Sequence, residues 1–364
     1  MKRAIAGRTH LNAICPYFTM FPLDFPTRIL ARRASRRDRV LDPFCGRGTT
    51  NFAARLLGIS SAGLDSSPVA AAITAAKFCV TTPENIVETA ARILENAGSP
   101  KVPEAEFWSL AYERRVLEQV CAIRGALQSN CESPESIALR AIMLGALHGP
   151  RQGIASYFSN QCFRTFAPKP RYAIGFWTSR RMSAPFVDVL GIIHRRATRY
   201  FRQMLPSVAG SAAQADSRDP KHFRFSKRFS WVITSPPYYG MRTYVQDQWL
   251  RAWFLGGSDI VDYTSGVQMS HDGPGKYVED LSTVWRNAAS ACVDGAQLVA
   301  RFGGIRDRNV PARELILESL RLGGWRTTNL FSAGTANAGK RQANSFLRDR
   351  TRPIEEFDVW AKLT

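Results

Sequence analysis

An α/β fold with a mostly parallel sheet and a helical insertion is what the 364-residue sequence predicts. Three observations carry it. Short apolar strand segments alternate with helical ones at both ends of the chain, the pattern of a parallel sheet with helices on both faces. Between about residues 82 and 206 helical periodicity takes over. Two stiff or glycine-containing turns follow directly on strands, at the edge where open α/β sheets bind ligands.

Taken in order, Arg39–Asp42 (RVLD) reads as a short strand, followed by a glycine turn and a helix through Thr50–Leu57. Ser61–Asp65 (SAGLD) is a second strand and Pro68–Phe78 a helix. Helices are then expected at Phe107–Leu127, Pro134–Leu147 and Ala184–Met204, flanking an aromatic, basic loop, SYFSNQCFRTFAPKPRYAIGFW, at 156–177. Trp231–Thr234 returns to strand, and TYVQDQWLRAWFLGG (243–257) runs into an aromatic helix. Gln297–Phe302, Arg326–Phe331 and Phe357–Leu363 are three more strands, with a helix at Pro311–Leu322 stopped by Gly323 and Gly324. The expected organisation is a core built from 1–81 and 207–364 with a helical, basic insertion at 82–206.

Composition narrows the function. Hydrophobic residues make up 45% of the chain and there are 8 Trp, which fits a packed globular protein. No run reaches the roughly 18 apolar residues of a membrane span, and MKRAIAGRTHLNAICPYF lacks the apolar stretch of a secretory signal. Seven Cys without a CxxC pair point to reduced thiols and a cytoplasmic setting. The five His show no metal spacing, so no metal is expected. Charge is more informative: 49 Lys+Arg against 30 Asp+Glu give +19. Residues 160–230 hold 14 basic and 3 acidic residues, and residues 1–40 hold 9 and 2. Two basic blocks separated by a balanced one read as a footprint for a polyanion.

VLDPFCGRGTT (40–50) is a strand ending in an acid, then a Gly-x-Gly turn opening a helix. Glycines let a ligand approach the backbone, and the helix N-terminus offers free N–H groups to an anion. Asp65 ends the next strand, near the spacing at which a carboxylate grips ribose hydroxyls. The turn is neither the dinucleotide GxGxxG nor a phosphate loop, since no GK[ST] follows.

WVITSPPYYG (231–240) ends a strand in a polar residue, two prolines and two tyrosines. Proline lacks an N–H, and a Pro-Pro pair holds the backbone extended with outward carbonyls. A rigid carbonyl, a hydroxyl and an aromatic face together can hold an exocyclic amino group and stack its ring.

DPFCGRGTT together with TSPPY resembles the S-adenosylmethionine-dependent DNA amino-methyltransferases that act on cytosine N4 or adenine N6. YFTMFP (17–22) and ADSR (215–218) resemble segments of that family that close over the methionine end and flank the adenine of the cofactor. The resemblance covers about residues 10–80 and 210–364. It implies a Rossmann-like class I methyltransferase fold with a seven-stranded, mostly parallel sheet. It places Tyr17, Met20, Phe21, Asp42, Phe44, Gly46, Gly48 and Thr49 at the cofactor, Asp65 on its ribose and Asp216 on its adenine. It assigns catalysis to Ser235, Pro236, Pro237 and Tyr238. Serine in the first catalytic position is commoner in the cytosine-N4 branch of these enzymes, many of which serve restriction–modification. The insertion between Asp65 and Asp216 departs from the family's usual motif order.

The expected chemistry is direct in-line methyl transfer to a base flipped from DNA, with Ser235 Oγ and the Pro236 carbonyl holding the amine and Tyr238 stacking on the base. Arg164, Lys169, Arg171, Arg180 and Arg181 are interleaved with Phe163, Phe166, Tyr172 and Trp177, and with Tyr239 and Arg242 they are candidates for nucleic-acid contact. The aromatics of that stretch read equally well as core. Arg195, Arg196, Arg199 and Arg202 follow helical spacing and form a cationic stripe or a solvated face. Cys45 lies inside the cofactor turn and reads as a small buried filler. Rival readings are an adenine-N6 enzyme, an RNA guanine-N2 methyltransferase, and a non-catalytic nucleic-acid binder. The RNA enzymes carry N-terminal modules longer than the roughly 40 residues before the first strand here.

Overall fold

The computed structural model describes residues 9–17, 21–150, 156–162, 169–240, 245–261, 273–304, 311–335 and 355–364. The chain forms two compact units. One comprises Tyr17–Phe78, Pro206–Arg242 and Val267–Thr364; the other comprises Met1–Pro16, Cys79–Leu205 and Thr243–Gly266.

The first unit holds a seven-stranded sheet. Its strands are β1 (Arg39–Asp42), β2 (Ser60–Asp65), β3 (Gly210–Gln214), β4 (Phe229–Thr234), β5 (Cys292–Gly303), β6 (Trp325–Thr335) and β7 (Glu355–Leu363). Their order is β3-β2-β1-β4-β5-β7-β6. The pairs up to β5 are parallel, and β7 runs antiparallel between β5 and β6. This is the class I methyltransferase order that the resemblance implies. The chain steps outward from β1 to β3, then returns to β4 on the other side of β1. The crevice outside the carboxyl ends of β1 and β4 is therefore the switch point at which such sheets take ligands.

Helices α1 (Asp24–Arg33), α2 (Thr49–Leu56) and α3 (Pro68–Ala76) accompany the first two strands, and α11 (Pro274–Ser290) and α12 (Ala312–Leu322) the last three. The strand cores are apolar on both faces, as burial from both sides requires. Leu41, Val232 and Leu298 join Leu281, Trp285, Ile316 and Leu320 in one cluster. The alternate residues Val40, Trp231, Ile233 and Val299 join Phe25, Leu30 and Ala53 in the other.

Three of these elements were not expected from the sequence. β3, sequence GSAAQ, is mostly exposed and small, so no alternation marks it; it is defined by backbone pairing to β2. α1 carries Pro26 near its start and ends in Arg32 and Arg33, which breaks up its apolar pattern. α11 opens on Gly273 and Pro274, a pair that reads as a turn, yet Pro at the start removes only an N–H that has no helical partner.

The second unit contains helices α4 (Pro83–Glu95), α5 (Glu106–Ala111), α6 (Arg114–Ser129), α7 (Pro134–Ala146), α8 (Pro170–Ser179), α9 (Val189–Phe201) and α10 (Val245–Phe254). The expected helix 107–127 is two: Tyr112 is extended, and Glu113 caps α6 by accepting from the N–H groups of Arg115 and Val116. The expected helix 184–204 begins only at Val189, where Asp188 accepts from Gly191 N. Part of the basic stretch expected as loop is helix α8. Its start is set by Pro170 and its inner face by Pro170, Ala173 and Trp177. Among the described residues no helix is long and apolar enough to cross a membrane.

Candidate active site

The cofactor turn is held from three sides. Gly46 and Gly48 have φ of +51° and +75°, conformations that side chains disfavour. A Cβ on Gly48 would lie 2.6 Å from Thr74 Oγ1 of α3. That hydroxyl donates to Gly46 O at 3.1 Å and props the turn. From β2, Asp65 Oδ2 accepts from Gly46 N at 2.8 Å while its Oδ1 accepts from Ser67 N at 2.9 Å. Burial raises the Asp65 carboxyl, and the two backbone N–H groups oppose that. Ala215 N donates to Asp65 O at 2.8 Å, which joins the end of β2 to the segment after β3.

Asp42 is fully buried. Its Oδ1 accepts from Thr234 Oγ1 at 2.6 Å and from Phe44 N at 3.1 Å, and its Oδ2 is buried without a hydrogen-bond partner. Burial pushes this carboxyl up to about 7. Thr49 Oγ1, at the start of α2, is likewise buried and unpartnered, and no side chain caps that helix. An orphan carboxylate oxygen beside an uncapped helix start is a donor set suited to a ligand that carries both an ammonium and a carboxylate. The residues therefore fit the amino-acid end of S-adenosylmethionine.

The remaining residues assigned to the cofactor sit as follows. Tyr17 lies over the turn, its ring 3.7 Å from where a Gly46 Cβ would stand. Phe44 is half-buried and edge-on to Trp285, at 6.1 Å. Phe21 is 8% exposed in the core, edge-on to Phe25 at 5.2 Å, so it supports the segment from beneath. Asp216 is paired through both oxygens with Arg218, which also reaches Asp280 Oδ2 at 3.0 Å. The Arg218 hydrogen bonds hold the Asp216 carboxyl below its usual range. Met20 lies outside the described residues.

The SPPY corner leaves β4 next to Asp42. Val40 and Leu41 pair with Trp231 and Val232, so the two turns emerge side by side from one sheet edge. Ser235 is half-buried, and among the described residues nothing hydrogen-bonds its hydroxyl. Tyr277 OH, from α11, donates to Pro237 O at 2.6 Å. Tyr238 OH donates to Glu356 Oε1 at 2.9 Å, and its ring stands edge-on to Phe302 at 5.2 Å. Tyr239, expected at the nucleic-acid surface, is instead 7% exposed in the core against Tyr277. Tyr239 is a member of the buried core cluster, whereas Tyr238 is only partly buried against it, so it is the second tyrosine whose ring is withdrawn from solvent. Cys45 is buried and its thiol is raised well above its ordinary value, which makes it inert as a nucleophile.

Sequence reading missed Thr74, Arg218, Tyr277 and Glu356. For Glu356 a signal exists. β7 is antiparallel, so its first residues lie at the carboxyl edge of the parallel strands, with Glu356 opposite Gly303. An acid that is 3% exposed at that edge is a site candidate.

In the second unit, Lys169, Arg171, Arg180 and Arg181 are all exposed on or beside α8. Tyr172 is 55% exposed, whereas Trp177 is fully buried against Phe107. Arg195, Arg199 and Arg202 are exposed; Arg196 turns inward and donates to Ser156 O. His148 is buried on Ser159 Oγ, and burial lowers its pKa to about 3. Arg164, Phe163, Phe166 and Arg242 lie outside the described residues. No group of metal-binding side chains occurs among the described residues.

Residues 5–76 match a family model described as N6_N4_Mtase, DNA methylase. No curated protein matches the sequence. Among solved structures, the chain is similar to the rRNA methyltransferase aviRa of Streptomyces viridochromogenes, at 15% identity over 97% of this chain and 92% of that one, TM-score 0.38. It is similar also to a SAM-dependent methyltransferase of Methanosarcina mazei, at 10% identity over 95% and 99%, TM-score 0.33. The fold assignment rests on strand order, not on these likenesses. The matched family is one of DNA methylases, which transfer a methyl group from S-adenosylmethionine.

Proposed function

We propose that this methyltransferase methylates the exocyclic amino group of a base in DNA, cytosine N4 in the first instance. The observation that supports it is the adjacency at the switch point: the donor-side turn after β1 and the SPPY corner after β4 leave neighbouring strands. When bound, S-adenosylmethionine supplies an electrophilic methyl group on a sulfonium. The protein's task is then to make an aryl amine nucleophilic and to aim it.

An aryl amine is weak because its lone pair is delocalised into the ring. Ser235 Oγ and the Pro236 carbonyl accept from its two N–H groups, which draws the nitrogen toward sp³ and frees the lone pair. Positioning supplies much of the rate. The methylated amine is acidic enough to lose its proton to solvent, so Ser235 need not be a strong base. Tyr238 stacks on the ring. A base in a duplex must first be turned out, at a cost of a few kcal/mol. The exposed cations of the second unit, Lys169, Arg180, Arg195, Arg199 and Arg202, neutralise phosphates in this reading, and its helical insertion serves recognition.

Serine rather than aspartate at 235 favours cytosine N4; adenine N6 is the second reading, since the matched family spans both. The test is to offer labelled cofactor with duplex DNA, single-stranded DNA and bulk tRNA. Label in DNA alone supports the proposal, and label in tRNA alone replaces it with an RNA enzyme.

A further inference from the structure

The proposed chemistry needs the SPPY clamp to hold one geometry; its two prolines stiffen the backbone, but they leave the Pro237–Tyr238 peptide plane and the Tyr238 ring to be set by neighbours. We infer that Tyr277 and Glu356 are positioning residues that lock the clamp, an inference that rests on the proposed amino-methyl transfer. Each takes one half of the loop. Tyr277 OH bonds Pro237 O at 2.6 Å, which fixes the plane of the Pro237–Tyr238 peptide, and the ring-locked φ of Pro237 links that plane to the Pro236 carbonyl. Glu356 Oε1 bonds Tyr238 OH at 2.9 Å, which fixes the ring.

Both anchors are themselves rigid. Tyr277 is 1% exposed and packed between Tyr239 and Phe302. Glu356 is 3% exposed on a strand paired on both sides. Gly303 completes the fit. A Cβ there would stand 3.1 Å from Tyr238 Cε2 and 3.2 Å from Glu356 Cγ, tighter than ordinary contact. The absence of a side chain at 303 lets ring and carboxylate meet.

Both anchors are buried behind the corner and bond it at Pro237 O and Tyr238 OH, so they act through Pro237 and Tyr238. Their loss therefore lowers turnover without weakening cofactor binding. Tyr277→Phe removes one oxygen and Glu356→Ala removes the acceptor. Glu356→Gln keeps an acceptor oxygen at the same reach. Each of the first two lowers kcat about tenfold, the size of one lost hydrogen bond, and Glu356→Gln recovers to within about threefold of wild type.

The experiment measures kcat on DNA and cofactor Kd for the three variants. It also records the fluorine resonance of residue 238 in protein labelled with 3-fluorotyrosine, assigned by its absence in Tyr238→Phe. Supporting results are the kcat losses with unchanged Kd, the recovery in Glu356→Gln, and a resonance shifted in Glu356→Ala but not in Glu356→Gln. Wild-type kcat in both Tyr277→Phe and Glu356→Ala, or an unmoved resonance in Glu356→Ala, overturns the inference. Tyr277→Phe keeps the test decisive should Glu356→Ala fail to fold. A wild-type protein that methylates no nucleic acid, with the resonance still responding, defeats the proposed function and confines the lock to structure.

Discussion

Thr234 Oγ1 donates to Asp42 Oδ1 at 2.6 Å, joining the last residue of β4 to the last residue of β1. One hydrogen bond thus ties the strand that ends in the SPPY corner to the strand that ends in the glycine turn. Thr50 Oγ1 repeats the link from α2 to Ile233 O at 3.1 Å. In-line methyl transfer needs such a common frame, because a misplacement of about 1 Å can cost about 100-fold in rate.

Asp42 gives a pH signature. Its folded-state pKa, raised by burial to about 7, lies above the unfolded value near 3.8. Between those values the folded protein holds a proton the unfolded chain has lost, so its stability falls as pH rises from about 4 to about 7. Asp42→Asn removes that component while weakening cofactor binding at least tenfold. Denaturant titrations of the cofactor-free protein across pH, with cofactor calorimetry, check both; an unchanged pH slope in Asp42→Asn contradicts the assignment.

Gly48→Ala is expected to destabilise the protein by about 1–3 kcal/mol. The residue has φ of +75° and its new methyl would meet Thr74 Oγ1 at 2.6 Å. Chemical denaturation reads the loss. A near-neutral result would show that the turn relaxes.

Ser235→Ala is expected to lower kcat by about 100-fold or more, the scale of removing one preorganised hydrogen-bond partner, with cofactor affinity retained. Tyr238→Ala loses the stacking face and does the same. Near-normal turnover in either variant removes these residues from the mechanism.

Six of the seven strands and both turns were legible, the turns because VLDPFCGRG and TSPPY are stiff, specific and placed at strand ends. What stayed hidden is set by pairing across the chain. β3 has no pattern of its own, and Tyr239 was misplaced because nothing local says which of two tyrosines enters the core. Trp177 reads as a nucleic-acid contact or as core from its basic neighbours, and only its 0% exposure settles it as core. Trp177→Ala should therefore cost about 3–5 kcal/mol of stability, measured by denaturation of the full chain.

Arg199→Ala and Arg202→Ala each remove an exposed cation from α9 or its end. Each should weaken DNA binding at low salt and reduce the salt slope of log Kd by about one. An unchanged slope in both makes that stripe a solvated face.

The most direct test of the central claim is mass spectrometry of nucleosides from DNA incubated with S-adenosylmethionine and either wild-type protein or Ser235→Ala. N4-methylcytosine with the wild type and none with the variant is the predicted result. DNA that gains no methylated amino group with active, cofactor-binding wild-type protein would contradict it.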